Sequence, residues 1–143
     1  MESYLAYLAA QARAERVAVS EPLDAALASL DRDFAALAPA LQVEYFGPGV
    51  GVDADRSVFR LAVGPHRGSI EAPVWGLRVC DGTASGGWRP MWAVQGVGRL
   101  RKVLVVKALP ELLAGFAEAV AAAGKSDTAA GRRVHEMAAA FEV

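Results

Sequence analysis

Arg60, Arg78, Arg89, Arg101 and His66 are the residues of this chain whose types and positions best suit chemistry. Each arginine falls in a different stretch that reads as a strand: 57–63, 74–80, 88–95 and 100–106. Alternation of period two sends successive side chains to opposite faces of a sheet. If every stretch keeps its register, the four arginines share one face with Glu44 and Gln95. Interleaved with them stand Val58, Ala62, Val74, Met91, Ala93, Val103 and Val105. A face that mixes arginine with apolar side chains suits a protein interface or a groove for an anionic organic ligand. The planar guanidinium would hold a carboxylate or phosphate through two parallel hydrogen bonds. His66, beside Arg67 in a Gly-Pro-His-Arg-Gly loop, would polarise such an anion.

Two plainer readings compete with that site. The arginines can form the solvated side of the fold, or they can pair with acids of the same chain. The charge distribution fits the second: residues 1–38 sum to −3, 39–108 to +4 and 109–143 to −2. Composition also weakens any argument from arginine alone. Alanine occurs 30 times, Asn never and Ile once, and Arg outnumbers Lys twelve to three, the skew that GC-rich coding produces by itself.

No other motif names a reaction. Gly47–Gly51 and Gly82–Gly87 run from strand to strand and lack a Gly-Lys-Ser/Thr ending, so they read as hairpin turns and not as phosphate loops. His66 and His135 have no metal-ligand spacing, and a single cysteine excludes both an internal disulfide and a multi-cysteine metal site. Cys80 stands beside Asp81, whose carboxylate would raise the thiol pKa, so it reads as a buried, inert residue. Ser85 has no nucleophile elbow around it, and Asp53 and Asp55 read as turn residues. Trp88 and Trp92 are four apart on one strand face. They suit either a core or, with Arg89 between them, stacking on single-stranded nucleic acid. Shared parity with Phe59, Leu61, Val63 and Leu77 favours the core, together with Trp75.

These residues need elements to position them. Residues 2–17 predict a helix with Tyr4, Leu5, Leu8 and Ala12 on one face. Ser20 opens a second, whose stripe of Leu23, Leu27, Leu30, Phe34 and Leu37 repeats at 4, 3, 4 and 3, and Pro39 ends it. Five strands follow, at 41–46, 57–63, 74–80, 88–95 and 100–106, with Pro90 placing the fourth at an edge or bulge. Pro110 starts a third helix with Leu112, Leu113, Phe116 and Val120 inward, and Gly124 stops it. Ser126 or Asp127 caps a last helix that buries Val134, Met137 and Phe141. Grouped strands between grouped helices predict a single α+β domain over residues 1–143: an antiparallel meander of about five strands with two helices before it and two after, packed in two layers.

With 143 residues, 54% hydrophobic and 22% charged, the chain is too apolar for intrinsic disorder. No apolar run reaches the roughly 18 residues of a membrane span. The short run at Leu5–Ala10, preceded by Glu2 and by no basic residue, does not make a signal peptide, and a cytoplasmic setting is expected. Net charge −1 and pI near 6.1 supply no global attraction to nucleic acid. The preferred functional reading is a non-enzymatic interaction or regulatory module that binds a protein partner or itself. Either the mixed sheet face or an exposed Leu23–Leu37 stripe would suit a homodimer. The alternatives are a binding protein or enzyme for a small anionic metabolite and, third, a single-stranded nucleic-acid binder. No cofactor or metal is implied.

Overall fold

The computed structural model describes residues 3–53, 56–66, 74–81, 88–90 and 99–142. The chain is α+β. Helices α1 (Tyr4–Arg13) and α2 (Glu21–Leu41) precede strands β1 (Tyr45–Asp53), β2 (Arg56–His66), β3 (Val74–Asp81) and β4 (Trp88–Pro90). Helices α3 (Arg99–Ala122) and α4 (Ala129–Ala140) complete it. The strands form one antiparallel sheet in the order β1-β2-β3-β4, three long strands and a fourth of three residues. No helix among the described residues is long and apolar enough to cross a membrane.

Local chemistry explains where most helices begin and end. Ser3 Oγ accepts from the Ala6 N–H at the start of α1. At its far end Lys107 Nζ donates to the carbonyls of Ala12, at 3.0 Å, and Ala14, where a cation also opposes the negative end of the helix dipole. Helix α3 closes with Gly124 at φ +72°, its N–H on the Ala121 carbonyl and the Lys125 N–H on Val120, a Schellman turn that glycine adopts without Cβ strain. Thr128, rather than the expected Ser126 or Asp127, caps α4 by accepting from Gly131 N–H at 2.9 Å.

Both internal prolines were expected to bound helices, and both lie inside them. Pro39 is in the last turn of α2, which continues to Leu41 and ends at Gln42 in the left-handed region. Ala35, whose carbonyl loses its i+4 donor, is exposed like Pro39, so water can satisfy it. Pro110 lies midway along α3.

The larger correction concerns residues 99–109. The expected fifth strand at 100–106 is the first two turns of α3. Val103, Val105 and Val106 give the segment the composition of a strand, yet Val105, Val106, Leu109, Leu112, Leu113, Phe116 and Val120 form one buried stripe at helical spacing. Burial of that continuous stripe outweighs the modest β preference of three valines.

A second correction falls at Gly47–Gly51, expected as a turn. These residues lie within β1, with ladder irregularities between Phe46 and Gly49 and again between Val50 and Asp53. A Cβ on Gly47 would sit 2.7 Å from Leu112 Cδ1 and 2.9 Å from the Leu61 carbonyl oxygen. The glycine is there because β1 is pressed between β2 and α3, not because the chain reverses. Likewise Gly64-Pro65-His66 belongs to β2, pairing with Gly76, Trp75 and Val74. The loops expected at 67–68 and 82–87, and the strand positions 91–95, lie outside the described residues.

One sheet face carries Leu61, Val63, Leu77 and Val79, all buried in a single cluster with the apolar faces of the four helices. Phe34 and Phe116 meet at its centre with ring centroids 5.7 Å apart. The Leu23–Phe34 stripe is buried in this cluster, so the expectation that it stands exposed for dimerisation is overturned. Val134, Met137 and Phe141 are buried as the spacing predicts.

Candidate functional site

The β2–β3 ladder is regular and pairs Arg60 with Cys80, Ala62 with Arg78 and Gly64 with Gly76. Arg60, Ala62, Gly64, Gly76 and Arg78 therefore share the face opposite Leu61 and Leu77. Phe46 joins them through its pairing with Ala62. Glu44, just before β1, lies over Gly64, its Cγ 3.8 Å from where a Cβ would stand. The expected outer row thus forms for Glu44, Arg60 and Arg78.

It does not form for the other two arginines. Arg89 pairs with Val79 and so has the parity of the core row, whereas Trp88 pairs with Cys80 and has the parity of Arg60 and Arg78. Expectation had these exchanged. A three-residue strand ending in proline has no alternation of its own to read, so hydrogen bonding to β3 sets its parity, and a one-residue difference inverts it. Arg101 is in α3, away from any sheet row. His66 is the last residue of β2, paired with Val74. Trp75 packs against the core, and Trp92 lies outside the described residues.

Arg60 and Arg78 then meet different fates. Arg78 is only 3% exposed. A Cβ on Gly76 would lie 3.6 Å from Arg78 Nη1 and 3.8 Å from Ala35 Cα, which places the guanidinium beside α2. Asp31, one turn before Ala35, is its counter-charge there. Burial pushes the Arg78 pKa down while Asp31 pulls it up. Burial likewise raises the Asp31 carboxyl, against the lowering influence of Arg78 and then Arg32. The outer row is therefore covered at Arg78 by one flank of α2, where the arginine faces an acid of the same chain, as the second of the two plainer readings has it.

Arg60 is exposed, and its Nη1 donates to the Gly47 carbonyl across β1 at 2.9 Å. That bond satisfies a carbonyl beside the ladder irregularity of β1. Next to it Phe46 is 63% exposed, the exposed large hydrophobic residue of the described surface. Its neighbour Tyr45 turns the other way, its ring 6.3 Å from Phe116 and its phenol against Gly115. Burial, with Glu111 and Glu118 nearby, raises the Tyr45 pKa.

Two further polar groups were not legible beforehand. Tyr4 donates its phenolic O–H to Asp33, which also takes Arg133 Nη2 at 3.1 Å, while Arg133 Nη1 lies 3.5 Å from Glu136. This ties α1, α2 and α4 together. Burial and the adjacent Asp33 raise the Tyr4 pKa far above its usual value. Ser126 Oγ and His135 Nε2 are 2.9 Å apart across the α3–α4 turn. A nucleophilic serine needs its histidine oriented by a third group, and among the described residues no carboxylate hydrogen-bonds His135. The pair instead closes the turn that leads into α4. Among the described residues no cluster of three His, Cys, Asp or Glu side chains could hold a metal ion.

No family model, curated protein or solved structure matches this chain.

Proposed function

We propose that the chain is a non-enzymatic interaction module that docks a protein surface on the outer face of β1 and β2. The observation that carries this reading is Phe46, 63% exposed over the buried Ala62, with the exposed Glu44 and Arg60 on either side. An apolar centre with charged residues at its edge is the arrangement of a protein interface, where an aromatic anchor supplies burial and the rim supplies register. The small-anion reading has weaker support. Asp31 already stands against Arg78, and Arg89 and Arg101 do not join Arg60 on its row.

A photo-crosslinking amino acid at position 46 of the full chain tests the reading in the cell that makes it. Support is one protein attached through one surface peptide, with the yield falling when Arg60→Ala is added. Diffuse labelling, or labelling indifferent to Arg60, sinks it.

A further inference from the structure

The residues around Phe46 are arranged to recognise themselves. On the outer face the exposed Phe46 stands at the centre, paired across the ladder with the buried Ala62. Glu44 sits over Gly64, two residues further along β2 in one direction, and Arg60 lies two residues along it in the other. At a strand rise of about 3.3 Å per residue, the acid and the base stand roughly equal distances, ~7 Å, on either side of the phenylalanine. Both are exposed, and they carry opposite charge.

We infer that the partner on this face is a second copy of the chain, an assignment that rests on the interaction reading above. A two-fold axis lying between two such faces, across the strands at Phe46, reverses the strand direction of one copy. It places Phe46 of each copy against its equivalent. The same rotation brings Glu44 of each copy to the end where the other carries Arg60. The sideways offset is one strand spacing, about 4.8 Å, within the reach of an arginine side chain. An isologous contact requires this property, that the patch be complementary to itself. A patch of one charge would oppose it, as like charges facing each other select against a partner. The β1 edge, which no strand pairs among the described residues, is a poorer route to association. Its ladder irregularities and Pro48 disfavour regular pairing with a further strand. Face-to-face contact needs no such pairing.

Sedimentation velocity on the full chain from ~1 to ~300 µM, a range that spans micromolar dissociation constants, tests the inference. The wild type is expected to pass from monomer to dimer. Glu44→Arg alone and Arg60→Glu alone should each weaken the dimer at least about tenfold, because each sets two like charges against each other twice per dimer. The double variant Glu44→Arg/Arg60→Glu should dimerise again, and so should an equimolar mixture of the two single variants. Circular dichroism and unfolding midpoints on every variant separate lost association from lost folding. A wild type that stays monomeric throughout overturns the inference. So does a dimer insensitive to both single changes, or single changes that neither the double variant nor the mixture repairs. If the wild type is monomeric while position 46 captures a different protein, the second copy is wrong and the interaction module stands. No dimer and no crosslink remove both.

Discussion

Arg60 and Arg78 are the same residue type, on the same face of adjacent strands, and the two places where they sit behave oppositely. Around Arg78 the flank of α2 closes over the sheet, Asp31 supplies the counter-charge, and the guanidinium leaves the solvent. Around Arg60 no helix of the described chain does this, and the side chain lies exposed with one bond to the Gly47 carbonyl. The lesson is that a row of like residues on a sheet is not a functional unit until something decides which of them water reaches. The first place is a seam that holds the fold, and the second is a surface that can be used.

The contrast can be broken most forcefully at the seam. Arg78→Ala should destabilise by about 2–3 kcal/mol, because it empties a buried site and leaves the half-buried Asp31 without its counter-charge. Urea unfolding would show the loss, and a cycle with Asp31→Ala should recover part of it. A loss below about 1 kcal/mol would mean that Asp31 is not relying on Arg78.

Gly47→Ala tests the region where β1 is squeezed. Its Cβ would meet the Leu61 carbonyl oxygen at 2.9 Å, so a destabilisation of about 1–3 kcal/mol by overpacking is expected in the same assay. An unchanged midpoint would show that β1 has room to shift.

The Tyr4–Asp33 bond predicts a pH dependence. The folded-state pKa of Tyr4 is raised, so its contribution is complete below the ordinary tyrosine value of 10.0. It is then lost progressively as pH climbs toward the folded value. Wild type should therefore lose thermal stability more steeply than Tyr4→Phe above pH 10. At neutral pH the same substitution should cost about 1 kcal/mol, the typical net worth of one hydrogen bond. Parallel curves above pH 10 would remove Tyr4 from the link between α1 and α2.

The smallest effect belongs to the exposed arginine. Arg60→Ala should cost about 0.5–1 kcal/mol of stability through its hydrogen bond to Gly47, while lowering any association through the outer face by much more. A large folding defect with no change in association would reverse the roles assigned to the two arginines.

Much of this was legible in the residue order. The Leu23–Phe34 stripe, the inward residues of α4, the stop at Gly124 and the extent of β3 all follow from spacing and backbone chemistry, because each depends on neighbours within one or two turns. Phe46 could have been found, since it shares the parity of Glu44 within the strand expected at 41–46. The stretch from Leu100 to Val106 misled because a short window rich in valine suits a strand, while the longer window, through Val120, satisfies a period of 3.6. The Tyr4–Asp33–Arg133 link had no local sign at all: Asp33 and Arg133 are 100 residues apart, and each alone looks like a solvated helix position.

Sequence alone determined the class of the molecule: four amphipathic helices around an antiparallel sheet, with a core chosen by the periodicity of its apolar residues. Those properties are local, and backbone geometry converts spacing directly into a face. Only the tertiary structure decided that Arg78 is interior and Arg60 exterior, that Arg89 has the opposite parity, and that Gly47 is compressed rather than turning. Burial depends on what packs across from a residue and register on which carbonyl its amide reaches, and for these residues those neighbours come from distant parts of the chain.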